Sequence, residues 1–273
     1  MIVLVTDSTA YFTKAEAAAL GVVMVPMTYT QEGRTVYTEG YIDEDAAYLT
    51  SIAKNIGRYA TAQASLSAFW STFEDILAQG NQVLCITISS RFSGTYANAM
   101  KAAQEIGGTD IEVVDSKTTA GAMYLLLKKA RQFLDDGMTL VQAALKLREE
   151  REKAKTYFSV EDMGPLRRSG RLGFVRMSVS TVLNIRPVLK NTDGGVTTHA
   201  LARGKHDQLR VLEQTIKNYQ PPVIVQYCGV DGLADALVKR LQAKGIPVLR
   251  RLIGPVLAIH LGLTCISITW LES

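Results

Sequence analysis

Val83-Leu84-Cys85-Ile86-Thr87-Ile88-Ser89-Ser90-Arg91-Phe92-Ser93-Gly94-Thr95-Tyr96 runs from a buried strand into a helix through a corner of hydroxyls and one glycine. Val83–Ile88 reads as the strand, and a helical pattern follows from Ala97 to Ile106. Backbone N–H groups at a helix start have no intrahelical partners, so such a corner suits an anion. Its glycine lets a ligand approach the backbone closely, and serine or threonine adds short donors. Ser93, Gly94 and Thr95 are therefore candidate site residues. An ordinary N-cap in a strand-to-helix turn accounts for the same residues equally well.

Outward from this corner, strands and helices alternate. Ile2–Thr6 and Val22–Tyr29 read as strands around a short helix at Lys14–Leu20, and Gly33–Tyr41 as a hairpin or loop excursion. Asp43–Lys54 and Leu66–Ala78 read as helices, and Ile111–Val114 as a strand. Long helices follow at Thr118–Leu134 and Thr139–Lys153, the first with an apolar stripe of Ala120, Met123, Tyr124, Leu127, Ala130 and Leu134. This order predicts an α/β domain whose mainly parallel sheet is flanked by helices. Two strands end alike, in Asp7-Ser8 and Asp115-Ser116. Ligands of open α/β sheets gather at the carboxyl ends of strands, which adds Asp7, Ser8, Asp115 and Ser116 as candidates for lining the site. Helix capping explains them at least as well.

Past Phe158 the character changes to shorter elements punctuated by glycine pairs. Val196–Leu201, Val223–Cys228 and Pro247–Leu252 read as strands, with helices at Lys205–Asn218 and Asp231–Ala243. We expect two domains, an α/β unit over residues 1–157 and an α+β unit over 158–273. From Leu252 to Leu271 there is no charged residue other than the titratable His260, and the stretch is long enough to cross a bilayer. Gly254-Pro255 interrupts it, however, and Cys265–Trp270 alternates polar with apolar. A buried helix, a turn and a half-buried strand with Ile266, Ile268 and Trp270 on its inner face fit better.

The chain has 273 residues, 47% hydrophobic and 21% charged, as expected of a soluble globular protein. Cys85, Cys228 and Cys265 lie far apart in apolar runs with no CxxC pair, which suits a reducing cytoplasm. The opening Met1–Val5 leads at once into Thr6-Asp7-Ser8, so no secretory leader is expected. Between Met163 and Lys205 eight basic residues face one acid, a local +7 that leaves −3 for the rest of a +4 chain. Arg167, Arg168, Arg171, Arg176 and Arg203 belong to this segment. It reads as a surface for an anionic partner or as a solvated basic face.

Several chemistries lack their residues. Gly204-Lys205-His206 has neither the spacing nor the hydroxyl of a P-loop, and no GxGxxG follows a strand. His199, His206 and His260 are not spaced with any cysteine as zinc ligands, so no metal site and no cofactor is expected. Ser93 lacks the GxSxG elbow of a serine hydrolase. The basic segment has one aromatic, Phe174, too few for base stacking, so nucleic acid is not an expected partner. His260 stands in an apolar run, where a satisfied core histidine and a donor to a ligand carboxylate are both open. Ser65 fits a helix N-cap, whereas Thr61 has no such ready role.

Together these segments resemble the DegV family of bacterial fatty-acid-binding proteins. The likeness runs collinearly through Val5–Ser8, Thr61–Ser65, Ser89–Tyr96, Val114–Ser116, Leu166–Leu172, Asn184–Leu189 and Ile253–His260. It implies a two-domain fold with one long-chain fatty acid held between the domains. The carboxylate ligands it implies are Thr61, Ser93 with Gly94, and His260. It also implies that the protein is not itself a catalyst and has no catalytic residues of its own. A separate ATP-dependent fatty acid kinase subunit would convert the presented carboxylate to an acyl phosphate. Arg167, Arg168, Arg171 and Arg203 would then dock that subunit or touch an anionic membrane surface. The family usually has Thr-Ser-Gln-Pro-Ser and His-x-Gly-Pro-Gly, where this chain has Ala62 and Ala64, then Leu263 and Thr264. An enzyme or sensor for a small phosphorylated or carboxylated metabolite at the same interdomain site is the alternative reading.

Overall fold

The computed structural model describes residues 1–42, 48–171, 184–229 and 232–273. Asp43, Leu172, Phe174, Arg176 and Asp231, on which some of these expectations fall, lie outside the described residues. The first half contains β1 (Ile2–Asp7), α1 (Lys14–Leu20), β2 (Val22–Val25), β3 (Thr28–Gln31), β4 (Thr35–Thr38), α2 (Tyr48–Lys54), β5 (Tyr59–Ala62), α3 (Leu66–Ala78) and β6 (Gln82–Thr87). There follow α4 (Thr95–Ile106), β7 (Ile111–Asp115), α5 (Ala120–Asp135) and α6 (Leu140–Glu150). The remainder comprises β8 (Ala154–Ser159), α7 (Gly164–Ser169), β9 (Ile185–Thr192), β10 (Gly195–Arg203), α8 (Gly204–Gln214), β11 (Tyr219–Tyr227), α9 (Leu233–Gln242), β12 (Val248–Leu252), α10 (Pro255–Leu261) and β13 (Ile266–Glu272).

The strands form three sheets: a parallel one ordered β2-β1-β6-β7, a mixed one ordered β10-β9-β8-β13-β11-β12, and a small antiparallel one ordered β4-β3-β5. The architecture is thus mixed α/β, with a parallel four-stranded sheet and a separate mixed sheet. Pro26 divides the single strand expected over Val22–Tyr29 into β2 and β3, because proline cannot donate to a ladder. β3 leaves the parallel sheet and pairs with β5, which places Thr61 opposite Tyr29. β8 pairs throughout with β13, so the mixed sheet begins at Ala154, ahead of the expected division at 157/158.

Helix α5 lies between the two large sheets, against β1 and β6 on one side and β8, β11 and β13 on the other. Every residue from Ala120 to Leu127 is buried, more than the single stripe in the sequence suggests. A helix covered on both sides buries its whole circumference. β13 is likewise central and not half-buried: Ile266 through Leu271 are all buried. Its apolar face packs under α8 and α9, and its polar alternates face inward. No described helix is long and apolar enough to cross a membrane.

Candidate ligand-binding site

A cavity of about 360 Å³ opens where the three sheets approach one another. This is within the range of small-ligand pockets, roughly 300–1,000 Å³. Much of its wall is apolar, including Met27, Ile88, Phe92, Phe158, Val256 and Leu257. Thr61, Gln63, Ser93, Gly94, Arg171 and His260 also line it.

Three separate elements deliver the polar groups. Thr61 sits on β5, Ser93 and Gly94 on the corner before α4, and His260 in the last turn of α10. Thr61 Oγ1 lies 2.7 Å from His260 Nε2, across 199 positions of chain. Ser93 Oγ lies 2.9 Å from Thr95 Oγ1 and accepts from the Thr95 N–H at 3.2 Å. Gly94 caps α4 with no side-chain hydrogen bond to the helix end. A Cβ on Gly94 would stand 2.1 Å from the Gln63 amide oxygen, so the glycine makes room for Gln63 on the wall.

His260 rides on a helix fastened to the first half of the chain. Glu39 Oε1 accepts from the Val256 N–H at 2.8 Å, Tyr11 Oη accepts from the Leu257 N–H at 3.2 Å, and Tyr48 donates to the Ile253 carbonyl. At Gly254 a Cβ would meet the Tyr11 ring at 2.4 Å, so only glycine admits this approach. Burial, and next to it the Arg171 charge, lowers the His260 pKa to about 4, so the imidazole is neutral near pH 7. Its Nδ1 is buried with no partner among the described residues. A proton on Nε2 is the cheaper tautomer, because it leaves a bare lone pair, not an N–H, unpaired. Nε2–H then donates to Thr61 Oγ1, and the Thr61 hydroxyl proton is free for a guest.

The other candidates serve the frame. Asp7 accepts from the Ile88 N–H at 2.7 Å and from Thr9 through both N–H and hydroxyl. Its carboxylate thereby fills the crevice between β1 and β6 where a ligand of an open sheet would sit. Burial raises its pKa against those hydrogen bonds. Ser8 donates to Glu39, and Asp115 holds the backbone and hydroxyl of Ser90. Ser116 donates to the Thr118 carbonyl, and Thr95 accepts from the Ala64 N–H. Asp7, Ser8, Thr95, Asp115 and Ser116 are not on the cavity wall. Arg171, in contrast, is on the wall, its Nε 3.3 Å from the Phe92 carbonyl. Arg167 and Arg168 are exposed on α7, and Arg203 is exposed at the end of β10. Sequence reasoning missed Gln63 and the polar face of the mixed sheet. The Gln63 signal was its place between Thr61 and Ser65.

Comparison with known proteins shows the family. The model of a family described as "Uncharacterised protein, DegV family" matches residues 1–273. The chain belongs to the DegV family. It is 28% identical to a DegV domain-containing protein of Halalkalibacterium halodurans, covering 98% of each chain. A second relative, from Deinococcus radiodurans, is 30% identical, with 80% of this chain and 77% of that one covered. Among solved structures, a DegV family protein of Thermus thermophilus described as binding fatty acid superposes with a TM-score of 0.88 at 26% identity, covering 100% of this chain and 99% of that one. A stearic-acid-binding protein of Eubacterium ventriosum shares the fold at TM-score 0.88 and 24% identity, covering 100% and 98%. Where DegV proteins usually have proline, Ala64 uses the N–H that proline lacks to bind Thr95. Thr264, in the other departing loop, accepts from the Glu161 N–H at 3.3 Å.

Proposed function

We propose that this DegV protein is a carrier that holds one long-chain fatty acid between its two domains. It presents the carboxylate, in the cytoplasm, to a separate ATP-dependent kinase subunit for acyl phosphate formation. The observation that carries the reading is the Thr61–His260 hydrogen bond at a largely apolar cavity. Thr61 donates to one side of the carboxylate. Ser93, which accepts from the Thr95 N–H, donates to the other, with the start of α4 behind it. Arg171 supplies a fixed positive charge. The division between domains is best drawn before β8, since that strand belongs wholly to the second sheet.

Head and tail contribute unequally. About fourteen methylenes buried at about 0.8 kcal/mol each offer on the order of 11 kcal/mol gross. Each charge-assisted hydrogen bond to the head adds roughly 1.5–3 kcal/mol before desolvation. Tail burial therefore dominates affinity, and Thr61, Ser93 and His260 orient the reactive end. A small phosphorylated or carboxylated metabolite would leave the apolar wall uncovered. Exposed Arg167, Arg168 and Arg203 supply charge for an acidic docking surface on the kinase subunit or for an anionic membrane. Organic extraction of the purified protein followed by mass spectrometry tests the carrier reading. We expect a long-chain acid at near-equimolar yield. No bound acyl chain, together with no uptake of added fatty acid, would overturn it.

A further inference from the structure

The wall facing the tail is more polar than a hydrocarbon needs. On β13, Ser267 and Thr269 alternate with Ile266, Ile268 and Trp270, which belong to the apolar core on the opposite face. The ladder sets Gln226 of β11 beside Ser267 and Thr156 of β8 beside Thr269. Thr156, Asn191, Gln226 and Ser267 line the cavity from this sheet, and Thr118 and Thr119 line it from the start of α5.

Several of these groups lack partners. Gln226, 1% exposed, accepts from the Gly121 N–H at 2.6 Å through Oε1, while its Nε2 has no partner among the described residues. Asn191 donates to the Lys117 carbonyl at 2.8 Å through Nδ2, while its Oδ1 has no partner among the described residues. The backbone partners fix the orientation of both amides. Thr119 stands at the N-cap of α5, yet its hydroxyl neither caps the helix nor bonds to any described residue. Ser267 is 5% exposed, and its hydroxyl forms no hydrogen bond with any described residue. None of these residues lies on β5, the α4 corner or α10, which carry the head-group ligands.

Buried polar groups are costly unless hydrogen-bonded, so a plain alkyl chain leaves this wall unsatisfied. The unpartnered set combines a donor in Gln226, an acceptor in Asn191, and hydroxyls that act as either. A carbonyl substituent only accepts, whereas a hydroxyl both donates and accepts. We propose that this wall is a second, polar subsite that takes a hydroxyl carried on the acyl chain, so that the preferred guests are long-chain hydroxy fatty acids. The inference rests on the fatty-acid reading of the cavity above.

The test is competition. The full-length protein is incubated with octadecanoic acid and an equal amount of one hydroxyoctadecanoic acid, over a series that moves the hydroxyl along the chain. The retained acids are then quantified by mass spectrometry. We expect one position to be enriched about tenfold over octadecanoic acid, the worth of one net hydrogen bond, and the matching ketone to be enriched less. Ser267→Ala removes one oxygen from the wall and should collapse the ratio, which is internally referenced and so independent of protein yield. If octadecanoic acid is retained and no hydroxy isomer exceeds it, the subsite proposal falls and ordered water is the wall's partner. If no acid is retained at all, the fatty-acid reading itself falls.

Discussion

Protonation of His260 should cost the lipid-free protein stability in a narrow pH window. The fold lowers its pKa from 6.5 to about 4. The unfolded chain therefore takes up a proton before the folded one does. Stability from this residue is complete above pH 6.5 and is lost as pH falls toward 4. The full difference is about 3 kcal/mol, and about 2 kcal/mol of it is gone by about pH 5. Urea denaturation of delipidated protein at about pH 7.5 and about pH 5 measures the loss. The same pair of titrations on His260→Gln removes the ionisable group while keeping a polar side chain. The wild type should lose about 2 kcal/mol more than the variant between the two conditions. A bound carboxylate beside the imidazole favours its charged form, so the loss should shrink when fatty acid is present. Equal losses in wild type and variant would refute the buried, neutral histidine.

Other outcomes follow from the same geometry. Ser93→Ala and His260→Ala should each weaken fatty acid retention about ten- to a hundredfold with the fold intact; unchanged retention in a folded variant counts against the clamp. Gly254→Ala pushes a Cβ into the Tyr11 ring and should destabilise the protein by about 1–3 kcal/mol in chemical denaturation. A neutral result would mean that Tyr11 yields freely. Reversing charge at Arg167 and Arg168 should spare lipid binding and impair acyl phosphate formation with the proposed kinase subunit, and unaltered turnover removes the docking role. Reversal at Arg171, on the cavity wall, should lower lipid retention as well.

The parallel sheet was legible because its strands are short apolar runs between capped helices. The α1 range matches its expected bounds, as does that of α3, where Ser65 accepts from the Ala68 N–H as an N-cap. The helix-turn-strand over Leu252–Leu271 was also legible, from Gly254-Pro255 and the alternation that follows. What escaped reading depends on tertiary contact. β5 is four residues of mixed character, and it becomes a strand only because Pro26 frees β3 to pair with it. β8 and β9 carry polar residues in no regular alternation, yet Thr156 and Asn191 face an interior chamber. Thr61 and His260 stood out singly, but no local pattern could signal a bond between positions 199 apart. Asp7 resembled a ligand residue because a crest carboxylate that binds its own backbone looks the same in sequence as one that binds a guest.

The helix carrying His260 belongs to the second half of the chain by sequence, but Glu39, Tyr11 and Tyr48 tie it to the first. Thr61 and Ser93 are rooted there too, so the proposed head clamp is a fixture of one body. The chamber for the tail has its other wall on the mixed sheet. On the proposed function, length, shape and polarity of the guest can therefore be retuned by substitutions on β8, β9, β11 and β13 without disturbing how its carboxylate would be gripped. A scaffold divided in this way can diversify its cargo while offering every cargo to the same downstream chemistry.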